Sequence, residues 1–105
     1  MQPSQIVRII EVLEDVSKHK PMYYQPVNLE HTITFLHGFS QAIFCLAGPA
    51  LSREYEQVYP KRGWEYSSRP VWIEMQERGL AEEAIMDELF LLEIQVWRLR
   101  LEKSV

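Results

Sequence analysis

The chain holds little of what builds a catalytic, metal or phosphate centre. It has one cysteine, Cys45, so it can form no disulfide within itself; that fits a reducing compartment and makes a cytoplasmic location the expectation. Its three histidines, His19, His31 and His37, include no pair four residues apart, and no Glu-x-x-His step occurs, so no metal is expected. The four glycines, at 38, 48, 63 and 79, are too far apart to cradle a phosphate, and no cofactor is expected. Bases are fewer than acids, 11 against 15, for a formal net charge of −4. Such a chain offers phosphate backbones no attractive field, so nucleic acid is not the expected partner. The opening Met1-Gln2-Pro3-Ser4 runs into an Ile/Val-rich stretch broken by Arg8 and Glu11, without a basic segment before an unbroken apolar one, so no signal peptide is expected.

Asp, Glu, Lys and Arg are missing altogether from His31 to Ser52, a stretch long enough to span a bilayer. Its first half, however, carries His31, Thr32, Thr34, His37, Ser40 and Gln41. Most of them fall on one side of a helix, so the segment reads as amphipathic and no membrane partner is expected.

What is present is a globular balance, 47% apolar and 25% charged residues over 105, enough for one domain spanning 1–105. Ile6, Ile9, Ile10, Leu13 and Val16 keep helical spacing over 4–19, with Ser4 as the expected N-cap and Pro21 as the stop. Asn28 caps a helix from about 29 to 47, closed by Gly48-Pro49. Residues 50–59 suit a short helix. The alternation Tyr55, Gln57, Tyr59 and the turn residues Pro60 to Gly63 offer a hairpin with Trp64-Glu65-Tyr66 as the alternative. Pro70 opens a helix that runs to about Arg78, and Leu80 to Lys103 reads as one long helix. The expected fold is all-α: an irregular bundle of three or four helices with a long C-terminal helix, a short hairpin near 55–66 being the alternative there.

The long helix carries two apolar stripes. Ile85, Leu89, Leu92, Val96 and Leu99 make one; Met86, Phe90, Ile94, Trp97 and Leu101 make the other, and Glu93 and Arg100 lie between them. One stripe suffices to meet a core. The second is expected to meet another copy of the chain, so Met86, Phe90, Ile94, Trp97 and Leu101 are the candidate homodimer interface. Burial of both stripes in one monomer is the other reading.

The helix over 29–47 is apolar around more than half its circumference, with a polar band of Glu30, Thr34, His37 and Gln41. A band of this kind is usually a solvated edge. If it lined a cleft, Glu30 would tune His37 as a base, and the four residues are the candidate ligand site. Gly38, beside Thr34, Ala42 and Cys45, suggests close approach of another helix, and Cys45 reads as a small buried hydrophobe. Between 55 and 72, Tyr55, Tyr59, Trp64, Tyr66 and Trp72 alternate with Lys61, Arg62 and Arg69. The expectation is that the rings pin a long connection to the core; stacking on bases is the alternative.

Three functions follow as expectations. The leading one is a non-catalytic interaction or adaptor module that self-associates and has room for a further protein partner. The second is a small-ligand-binding or enzymatic domain with its pocket between the Glu30/His37 band and the aromatic segment 55–72. The third is a regulator that touches nucleic acid through Lys61, Arg62 and Arg69.

Overall fold

The computed structural model describes residues 1–104. It contains five α-helices among those residues: α1 (Pro3–Lys18), α2 (Leu29–Ala47), α3 (Ser52–Lys61), α4 (Val71–Glu77) and α5 (Glu82–Lys103), with a single 3₁₀ turn at Lys20–Met22. No strand is present among the described residues. The all-α class stands, and the expected three or four helices become five.

Local chemistry sets most of the boundaries. Asn28 caps α2, its side-chain oxygen accepting from the His31 amide at 2.9 Å. Ser4 is not the cap of α1; the helix starts ahead of it, and Gln5 reaches back to accept from the Gln2 amide at 2.7 Å. Residues 52–61 are helical, as the short-helix reading of 50–59 has it, and the alternative hairpin near 55–66 does not form. Tyr55 and Tyr59 fit a two-residue alternation, but they are also four apart, as are Glu54 and Val58, the buried pair of α3. Gly63, at φ +85°, then reverses the chain, and the Trp64 amide donates to the Tyr59 carbonyl at 2.9 Å. The Pro60–Gly63 turn signal is thus the end of a helix rather than the tip of a hairpin.

Helix α5 is the mast of the fold: α1, α2, α3 and α4 each pack directly on it. Its first stripe, with Ile85, Leu89, Leu92 and Val96 buried, joins Met75, Val71, Val58, Trp64 and Leu29 in one core cluster. Its second stripe supplies Phe90, Ile94 and Trp97 to another cluster with Ile6, Ile10, Leu13 and Val16 of α1. Leu101 packs at the edge of that cluster, and Met86 crosses to the first. Four of the five residues expected to meet a second copy, Met86, Phe90, Ile94 and Trp97, are therefore buried inside the chain, and Leu101 is half-buried. Trp97 is 3% exposed and Phe90 fully enclosed. The reason is that α1 takes one flank of α5 while α3 and α4 take the other. Two stripes needed two partners, and α1 supplies one while the short α3 and α4 supply the other.

Helix α2 is covered only along its first part, where Leu29 and Thr32 are buried. Its last turns stand in solvent: Phe44 is 57% and Leu46 87% exposed. Cys45 is exposed, against the expected burial. A Cβ placed on Gly38 would meet nothing within 4 Å, so no helix approaches there. Among the described residues, no helix is long and apolar enough to cross a membrane.

Candidate functional site

Glu93 lies on α5 between the two apolar stripes, half-buried, where the tyrosines of α3 reach it. The Tyr55 hydroxyl of α3 stands 2.9 Å from each carboxylate oxygen of Glu93 and donates its one proton between them. One residue earlier, the buried carboxylate of Glu54 takes Arg100 at 3.7 Å and Lys103 at 3.5 Å. Glu93 has no ion-pair partner among the described residues, in contrast to Glu54. Burial pushes its carboxyl up to about 7, the Tyr55 hydrogen bond opposing only part of that rise. Burial also raises the phenols of Tyr55 and Tyr59, and the nearby Glu93 charge adds to it.

The three tyrosines of this region form one cluster. Tyr55 stacks on Tyr66 with ring centroids 5.5 Å apart, and Tyr59 meets both edge-on. Tyr59 and Glu93 open onto a cleft of about 200 Å³ closed by Ile33 and Leu36 of α2, Leu89 of α5, and Pro70, Val71 and Trp72 at the start of α4. A neighbouring hollow of about 300 Å³ shares Ile33 and Trp72 and adds Leu29, Glu30 and Thr34. Half of the expected polar band thus reaches a concave surface facing Trp72. The other half does not: His37 is exposed outside both hollows, and Gln41 lies at a separate one by the end of α2. Glu30 and His37 share no cleft. The Thr34 hydroxyl is spent on its own helix, donating to the Glu30 carbonyl at 3.0 Å.

The aromatic–basic segment is pinned at Trp64. Its ring is buried, its indole N–H donates to Glu88 at 2.8 Å, and the Arg78 guanidinium covers the ring 4.6 Å from its centroid. Arg62 forks onto the same Glu88 at 2.7 and 3.1 Å, and Arg69 pairs with Glu77. Two of the three cations offered to nucleic acid are thus neutralised by carboxylates, and the rings of Trp64 and Tyr55 are turned away from solvent. No group of three or more His, Cys, Asp or Glu side chains suited to a metal occurs among the described residues.

Sequence spacing placed Glu93 between two stripes but did not mark it as a site. The signal was there: a carboxylate flanked on both sides by buried apolar rows, with tyrosines four apart on another helix to meet it. Comparison of the chain with protein-family models, with curated proteins and with solved structures finds no match.

Proposed function

We propose that the chain is a non-catalytic interaction module that pairs with a second copy of itself through the end of α2. The observation that carries this is the exposure of Phe44 and Leu46 within a stretch, 31–52, that has no Asp, Glu, Lys or Arg. A two-fold contact sets each residue's charge near its own copy, and a chain of net charge −4 repels its like over most of its surface. The end of α2 is free of that penalty. It also offers both halves of a self-complementary contact. Beside Phe44 and Ile43 lies a hollow of about 220 Å³ floored by Leu51 and Trp97, with no charged side chain in its wall. Leu46, one turn on from Ile43, stands 87% exposed. Of the five α5 residues expected at the interface, Trp97 keeps a supporting role as part of the floor of that hollow.

Sedimentation at micromolar concentration tests the proposal. The wild-type chain sediments as a dimer, and Leu46→Glu, at an exposed position where substitution costs the fold within about 0.5 kcal/mol, sediments as a folded monomer. A wild-type monomer contradicts it.

A second reading, binding of a small ligand, is favoured by the adjoining hollows between α2 and Trp72. One of them is lined by Glu30 and Thr34 of the polar band and both by Trp72 of the aromatic segment, while His37 of the band lines neither.

A further inference from the structure

Resting on that second reading, we infer that the cleft between α2 and α4 takes a small primary ammonium with an apolar body, its charge held against Glu93. The walls are apolar and aromatic: Ile33, Leu36, Leu89, Tyr59 and Trp72. Glu93 is the one acidic or basic side chain among them. Apolar walls with one convergent polar group are the usual make-up of a small-ligand site.

The sign of the ligand follows from what surrounds that carboxylate. The other carboxylates held between helices have cations: Glu54 has Arg100 and Lys103, and Glu88 has Arg62. Glu93 has only a neutral phenol, which supplies one proton to a group able to accept about four hydrogen bonds. An ammonium entering the cleft meets unused acceptor positions and an uncompensated negative charge, beside the aromatic side chains Tyr59 and Trp72. An anion meets repulsion, and a neutral alcohol loses the charge-assisted bond. The titratable groups facing Glu93 are the Tyr55 and Tyr59 phenols of α3; α2 and α4 present only Ile33, Leu36, Pro70, Val71 and Trp72, none of which titrates. The ammonium therefore binds the ionised carboxylate and displaces its proton to solvent. Because that carboxyl sits at about 7, affinity climbs as the pH rises from about 6 to about 8.

The probes are n-hexylamine, which stays protonated over this range, and 1-hexanol, which has the same chain without the charge. Each is titrated into the intact protein while the Trp72 indole and the Ile33 and Leu89 methyl signals are followed by NMR. The amine is expected to bind about tenfold tighter than the alcohol at pH 8, as one charge-assisted hydrogen bond allows. Its advantage shrinks about tenfold at pH 6, where the carboxyl is mostly protonated. Glu93→Gln is expected to bind both equally. Equal binding of the two probes to the wild-type chain, at unchanged affinity from pH 6 to 8, overturns the inference and leaves the small-ligand reading standing. If neither probe moves these signals, both fail. Should Glu93→Gln unfold, the wild-type comparison of the two probes across pH decides alone.

Discussion

Single residues in this chain are decided by whether a neighbour covers them. Gly38 shows the difference between a sequence reason and a structural one. A glycine in mid-helix costs about 1 kcal/mol against alanine, which invites a packing explanation, yet nothing lies within 4 Å of where its Cβ would stand. Its backbone is ordinary right-handed helix, so no strain opposes a side chain there. Gly38→Ala is therefore expected to stabilise the protein by about 0.4–1 kcal/mol, read as a higher denaturant midpoint with an unchanged slope. A loss of stability would mean that the site is occupied after all. Cys45 teaches the same lesson: apolar neighbours in sequence implied burial, but the last turns of α2 extend past the helices that would cover them.

At the scale of elements, the junction of α3 with α5 joins two polar patterns that sequence shows separately. Glu54 and Tyr55 reach Arg100 and Glu93, so one turn of α3 answers two polar residues seven apart on α5. The junction has a pH signature. An unfolded glutamate titrates near 4.5, while the folded carboxyl of Glu93 is pushed up to about 7. The folded state holds the proton more tightly, so this contribution is complete below about 4.5 and is lost as the pH rises through about 7. Asp15 and Glu77, both lowered by hydrogen-bond partners, act oppositely and at lower pH, where protonation removes their contribution. Between about pH 4.5 and 7.5, wild-type stability is expected to fall relative to Glu93→Gln by at most about 3 kcal/mol, since each tenfold difference in proton affinity between the folded and unfolded chain is worth about 1.36 kcal/mol. Denaturant unfolding of both proteins checks this, and parallel pH curves would contradict it. The helices most readable in advance were those with a cap and a stop of their own. Asn28 and Gly48 bracketed α2 to the residue, and the periodicity of α5 stood over its whole length. Helix α3 was ambiguous because its tyrosines satisfy both a two-residue and a four-residue repeat. The polar band of α2 was legible as a band but not as a site. Which of its members meets Trp72 depends on where the connection from 62 to 70 returns, and no local pattern sets that.

For the whole molecule, the central fact is that α5 is enclosed and α2 is not. The two stripes of α5 correctly announced two packing surfaces. Counting helices in the sequence left too few to cover both, which pointed to a second copy at Met86, Phe90, Ile94, Trp97 and Leu101. With α3 and α4 on the first stripe, α1 covers most of that surface, and Phe44 and Leu46 at the end of α2 remain exposed. On the proposed reading, self-association of a molecule with net charge −4 uses the one long stretch without Asp, Glu, Lys or Arg. Cys45 lies between those two exposed side chains and is the chain's only thiol, so it reports on the interface without any mutation. The most direct measurement is the rate at which a small maleimide alkylates Cys45 as protein concentration is raised at fixed pH. If α2 pairs with its copy, the rate per molecule falls as the dimer forms and recovers on dilution. A rate that stays constant over the whole concentration range would place the contact elsewhere or exclude it.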